Sequence, residues 1–199
     1  MAETLYPAHP LQAWKAALAE LTWAVDGLMV KPEEPVAAVD LRVDAAGPGA
    51  AAVARALGSA LPVEPNTWTH TTEGQIIWLG PDEWLVTSKN ARPHELEDSL
   101  GRVVSAHGGA AADVSAQRTT IRLSGGRARE LLSFGCSIDL RSSAFPNGSS
   151  AQTSIGQTGA LILALGSGDD FRLFVRPSFA GYLADWLLDT AQEFRPAQQ

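Results

Sequence analysis

The chain is poor in the residues that build cross-linked or metal-held domains. It has one cysteine, Cys136, in 199 residues, so an internal disulfide is excluded. The four histidines, His9, His70, His94 and His107, are scattered and none lies near Cys136, so zinc-site spacing is absent and no metal site is expected. Positive charge is also scarce. Fifteen Lys+Arg stand against 22 Asp+Glu, for a formal net charge of −7. Phosphate backbones and anionic lipid repel such a chain, so nucleic acid and membrane surfaces are not expected partners. No apolar run approaches the ~20 residues that span a bilayer. The N-terminus, MAETLYPAHPLQAW, has no basic start followed by an apolar block, so the expected location is cytoplasmic.

The common catalytic layouts are missing too. There is no Gly-x-Ser-x-Gly elbow, His-Glu-x-x-His pair, phosphate-binding loop or dinucleotide fingerprint. Gly125-Gly126 precedes a helix and reads as a sharp strand-to-helix turn, or as an anion-holding N-terminus. Cys136 follows Phe134-Gly135 with no basic neighbour, which suits a structural thiol. Asp82-Glu83 and Asp169-Asp170 read as solvated turn caps, since nothing apolar in sequence perturbs them. His70, between threonines, reads as a surface or hydrogen-bonded histidine.

What the chain does have is apolar material. Hydrophobic residues make up 45% and charged residues 19%, enough for a proper core. We expect one domain over residues 1–199, with sub-halves of roughly 1–108 and 109–195. Leu11, Trp14, Leu18 and Leu21 repeat at helical spacing. Val39, Leu41 and Val43 alternate with charge, as in a half-buried strand. Pro48 to Leu57 is an Ala-rich helix stopped by Gly58. Gln75–Leu79 and Trp84–Thr87 form a hairpin around Gly80-Pro81-Asp82-Glu83. Pro93 opens a helix that Gly108-Gly109 ends. Strands follow at 110–115 and 119–123, a helix at 126–134, and strands at 151–155, 160–165 and 171–175. The last helix carries Phe179, Tyr182, Leu183, Trp186 and Leu187 on one stripe. Residues 23–30 cannot be typed. The fold class is α+β, with two small mixed or antiparallel sheets flanked by helices.

Six tryptophans stand out. Trp68, Trp78 and Trp84 cluster about the central hairpin. Its first strand is apolar on both faces, with Ile76 and Trp78 on one and Ile77 and Leu79 on the other. Such a strand is either sandwiched in the core or covered by a partner. Trp68, Trp78, Trp84 and Ile77 are therefore the candidates for an interface; each is otherwise a core residue.

Four motifs carry a resemblance: Trp78-Leu-Gly-Pro-Asp-Glu-Trp-Leu85, Asp113-Val-Ser-Ala-Gln-Arg-Thr119, Leu131-Leu-Ser-Phe-Gly-Cys-Ser-Ile-Asp-Leu140 and Val175-Arg-Pro-Ser-Phe-Ala-Gly-Tyr-Leu183. In this order and spacing the chain resembles the gamma-subunit family of heterotetrameric sarcosine oxidases, over nearly all residues beyond Pro62. The resemblance implies a bacterial, cytoplasmic assembly with alpha, beta and delta chains, alpha being the expected nearest neighbour. That assembly oxidatively demethylates sarcosine to glycine, hydrogen peroxide and 5,10-methylenetetrahydrofolate. FAD, FMN, NAD, zinc and tetrahydrofolate are implied on the other subunits, and no cofactor on this one.

A more distant likeness is to the folate-binding domain of aminomethyltransferases. It rests on Asp113-Val-Ser, the run Ser124-Gly-Gly-Arg-Ala-Arg-Glu-Leu-Leu132, and the hairpin Thr158-Gly-Ala-Leu-Ile162 with Asp170-Phe-Arg-Leu-Phe-Val175. Those enzymes carry two adjacent aspartates where this chain has Gly159-Ala160. Neither residue can accept a proton or face a developing cation. The likeness thus implies the fold without the reactive groups. The leading expectation is a non-catalytic structural subunit of the oxidase, with no catalytic or cofactor-binding residues. The alternative is an independent folate-binding one-carbon transferase using Asp113 and the Gly125-Gly126 turn.

Overall fold

A computed structural model describes residues 9–166 and 168–194. The elements are α1 (Lys15–Ala24), β1 (Met29–Pro32), β2 (Ala37–Arg42), α2 (Pro48–Leu57), β3 (Trp68–His70), β4 (Gly74–Gly80), β5 (Glu83–Ser88), α3 (Pro93–Ser105), β6 (Ala110–Asp113), β7 (Thr119–Ser124), α4 (Ala128–Ser133), β8 (Ser150–Ile155), β9 (Thr158–Ala164), β10 (Asp170–Val175) and α5 (Pro177–Thr190). Short 3-10 turns precede α1, follow β6 and follow α5. Proline opens α2, α3 and α5 at a position whose N–H has no helical partner anyway. Gly58 ends α2 in the left-handed conformation, φ 67°.

The strands form two five-stranded sheets, in the orders β1-β7-β10-β9-β8 and β3-β4-β5-β2-β6. Every paired neighbour is antiparallel, so the fold is α+β with two antiparallel sheets flanked by helices.

Three buried clusters give the layering. Leu18, Leu21, Leu131, Leu132, Leu183 and Leu187 pack on Ile121, Leu123, Ile162 and Leu173, so α1, α4 and α5 cover the outer face of the first sheet. Val53, Leu96, Leu100 and Val104 pack on Val39, Leu41, Ile76 and Trp84, so α2 and α3 cover the second. Ala38, Trp68, Ile77 and Leu85 meet Leu161, Leu163 and Phe174 between the sheets. The order is helices, sheet, sheet, helices. Inner strands of either sheet are covered on both faces, which is why β4 and β9 read as apolar runs.

Two sequence readings need correction. Residues 23–30 and the prolines after them hide β1, which contains Pro32. Proline is tolerated there because, among the described residues, β1 is an edge strand paired with β7 alone. Nor do the sheets divide the chain near residue 108. β1 joins the sheet of the later strands, and β6 joins that of the earlier ones. The two halves therefore exchange an edge strand, a long-range pairing that local pattern does not encode.

Candidate functional site

The hairpin tryptophans point inward. Trp84 and Ile77 are fully buried and Trp68 nearly so. Trp84 Nε1 donates to the Pro62 carbonyl at 2.8 Å, and Trp68 Nε1 to the Ala164 carbonyl at 3.0 Å. Trp78 is half-buried and packs toward the α2/α3 layer. Trp68, Ile77 and Trp84 are thus core side chains, not an exposed contact surface. The hairpin is an inner layer, and its two apolar faces are met by the chain's own helices and other sheet.

The exposed aromatics lie elsewhere. Trp23 is 89% exposed, Phe134 55%, Phe179 45% and Tyr182 37%. Trp23 is on α1, Phe134 caps α4, and Phe179 and Tyr182 are on α5. All four belong to the helical layer over the first sheet. Phe134 also packs against Phe194 with ring centres 6.1 Å apart and the ring planes tilted by 52°, and the Arg127 guanidinium lies 4.8 Å over Phe194. No exposed large apolar side chain is found on α2 or α3 among the described residues. Trp23 sits two positions beyond Leu21, off the buried stripe. That phase mismatch was the one available signal.

The space between the sheets is apolar at its centre and polar at both ends. Phe174 lines a cleft at each end and so separates them. One cleft, of about 400 Å³, includes Lys31, Glu33, Gln75, Thr87, Arg122 and Arg172. Arg122 and Arg172 are cross-strand partners, a repulsive placement. Each is neutralised. Arg122 makes two hydrogen bonds to Asp170, at 3.0 and 2.7 Å. Arg172 makes two to Glu33, at 2.5 and 2.7 Å, and a third to Gln75 at 2.6 Å.

The other cleft, of about 340 Å³, includes Arg118, Arg176, Gln152, Thr153 and Gly159. Burial, and then Arg176 beside it, pull the Arg118 pKa below the usual arginine range. Gly159-Ala160, standing where the aminomethyltransferase likeness places two acids, borders this cleft. A Cβ on Gly159 would have no atom within 4 Å, so space does not explain the missing side chain.

The remaining sequence candidates are held in structural bonds. Asp113 Oδ1 accepts from the Ser115 amide at 2.9 Å and from its hydroxyl at 2.6 Å. The same hydroxyl oxygen accepts from the Ala38 amide at 2.8 Å, so Asp113-x-Ser115 is a clamp between β6 and β2. Gly125 has φ 106°, and a Cβ there would lie 2.3 Å from the Gly27 carbonyl oxygen. The glycine pair is therefore a packing turn; α4, with six residues, offers no anion site. Asp169 pairs with Arg129 at 2.7 Å. Glu83 is not a solvated cap. It pairs with Arg42 at 2.6 Å, yet burial and then neighbouring Asp40 push its pKa up. His70 is exposed and meets the Trp68 ring edge-on at 4.5 Å. Cys136 is half-buried against the first core cluster. Among the described residues, no three His, Cys, Asp or Glu gather as a metal site, and no helix is long and apolar enough to cross a membrane.

Known proteins show close counterparts of this whole arrangement. A family described as "Sarcosine oxidase, gamma subunit family" matches residues 42–193. The sarcosine oxidase subunit gamma of Corynebacterium sp. (strain P-1) is 31% identical over 147 residues, 73% of this chain and 71% of that protein. A chain of the heterotetrameric sarcosine oxidase from Corynebacterium sp. U-96, solved in complex with pyrrole 2-carboxylate, superposes with a TM-score of 0.87 at 27% identity, covering 97% of this chain and 98% of that one. The glycine cleavage system aminomethyltransferase T of Bartonella henselae shares the fold alone, with a TM-score of 0.65 at 12% identity over 86% of this chain and 48% of that one. The chain belongs to the sarcosine oxidase gamma subunit family.

Proposed function

We propose that the chain is the gamma-type subunit of a heterotetrameric sarcosine oxidase, and that it supports the assembly without supplying catalytic residues. Its partners are alpha, beta and delta chains, with alpha nearest, in the cytoplasm. FAD, FMN, NAD, zinc and tetrahydrofolate belong to those other chains. The complex demethylates sarcosine to glycine, with hydrogen peroxide and 5,10-methylenetetrahydrofolate as the other products.

One observation carries the structural role: the exposed aromatics gather on one helical layer. Trp23 is almost bare, and Phe134, Phe179 and Tyr182 share its side of the molecule. A tryptophan left 89% exposed forfeits a large hydrophobic gain. Aromatic residues with an arginine among them, as at Arg127 and Phe194, are typical anchors of a permanent interface. This face replaces the hairpin as the docking surface. The supporting chemistry is the bonding of Asp113, which ties strands together, and the neutral Gly159-Ala160 pair.

The test is purification of a tagged chain, produced at native level in its host, with masses taken of everything that co-elutes. A yellow complex with three further chains is the expected result. Recovery of this chain alone, folded and colourless, contradicts the proposal.

A further inference from the structure

We propose that the cleft between Arg118 and Arg176 is a binding site for a small free monocarboxylate. In the β7–β10 ladder Arg172 faces Arg122 and Phe174 faces Thr120. Continuing that alternation two residues past Phe174 sets Arg176 against Arg118. The first sheet therefore carries two arginine pairs, one on each side of Phe174. Like charges directly opposite one another destabilise a ladder unless something neutralises them.

At the Arg122/Arg172 end each guanidinium has its own carboxylate, Asp170 and Glu33. At the other end neither arginine has an ion pair among the described residues. Arg118 Nε is buried and, among the described residues, has no hydrogen-bond partner. A buried donor left unpaired costs free energy comparable to a lost hydrogen bond. The half-buried Arg118, with its unpaired Nε, and the exposed Arg176 border about 340 Å³, a setting that suits a planar two-oxygen anion.

The acids nearby limit the charge of the guest. Asp40 and Glu83 lie close enough to act on Arg118. Glu83 is engaged by Arg42, itself also 3.5 Å from Asp82. Asp40 Oδ1 has no hydrogen-bond partner and forms no ion pair among the described residues. Each of these carboxylates repels a dianion more than a monoanion. A carboxylate fits better than a phosphate.

The test is arginine modification by phenylglyoxal, with each site mapped by mass spectrometry, on the full chain and on the chain in whatever complex it forms. Sodium acetate is compared with sodium chloride at equal ionic strength, so that screening is matched. Acetate at about ten times its dissociation constant should slow modification of Arg118 and Arg176 by about tenfold, leaving Arg122 and Arg172 unchanged. Gly159→Asp places a carboxylate where a Cβ meets no atom within 4 Å, and it should remove the acetate effect by filling the cleft from within. Equal rates in acetate and chloride would overturn the proposal, as when Asp40 swings over to pair with Arg118. So would complete protection by assembly without added acetate, which would give the carboxylate to a neighbouring subunit.

Discussion

The indole N–H of Trp68, on the second sheet, donates to the carbonyl of Ala164 on the first, at 3.0 Å and out of contact with solvent. A residue suited to contacting another protein is instead a staple between this protein's own layers. Backbone contacts reinforce it: the Trp68 amide donates to the Gly148 carbonyl, and Thr67 bridges Ser149. Trp68→Phe keeps much of the apolar contact and loses the donor. Chemical denaturation should show a loss of about 1–3 kcal/mol, combining one buried hydrogen bond with a partial cavity.

The helical layer depends on a close approach between α1 and α5. Trp14 Nε1 donates to Asp185 at 2.6 Å, and a Cβ on Gly181 would come within 2.7 Å of the Trp14 ring. Gly181→Ala should therefore destabilise the chain despite the better helix propensity of alanine, by about 1–3 kcal/mol as over-packing. An unchanged or raised melting temperature would show that Trp14 moves aside freely.

Asp113 separates the structural reading from the transferase reading. As a clamp on Ser115, its replacement in Asp113→Ala should cost about 1–2 kcal/mol of stability. Calorimetric titration of the isolated wild-type chain with tetrahydrofolate should show no binding for the variant to lose. Tight binding abolished by Asp113→Ala would restore the transferase.

The pH dependence follows from Glu83. Its pKa is raised above the ordinary 4.5 by burial first and Asp40 second, against the opposing pull of Arg42. In the window above 4.5 the folded state then holds a proton that the unfolded chain has released. Stability from this group is greatest below that window and falls as pH rises through it. Glu83→Gln should flatten the decline in a series of denaturation curves taken upward from pH 4.5. A steeper decline would mean that the Arg42 pair dominates.

Much of the fold is legible locally. Pro48 and Gly58 bracket α2, the Pro81-Asp82 turn sets the β4–β5 hairpin, and Leu183 and Leu187 mark the buried side of α5. What is not legible is which apolar surface meets which. Ile76 and Ile77 read alike in sequence, and only the layering assigns one to helices and the other to the opposite sheet. The same limit hides the interface, because a doubly apolar strand looks identical whether its cover comes from within or from a partner. Trp23 escapes notice since it follows the periodic stretch out of phase, and β1 escapes because Pro32 suggests a loop. The Arg118/Arg176 pair is invisible without the β7–β10 register.

Trp23→Ser tests the docking face. The chain's own stability should change by less than about 0.5 kcal/mol, as for an exposed site. Its dissociation constant in the complex should weaken by about 2 kcal/mol or more, as for an interface anchor. Unaltered assembly would place the interface elsewhere.

The most direct measurement is native mass spectrometry, paired with activity per particle, on the oxidase produced with and without this chain. Support without chemistry predicts that the assembled particle is lost when the chain is absent, and that activity falls in proportion to the particles lost. An intact particle of the remaining subunits that has no turnover would contradict it, because this chain would then be supplying part of the reaction.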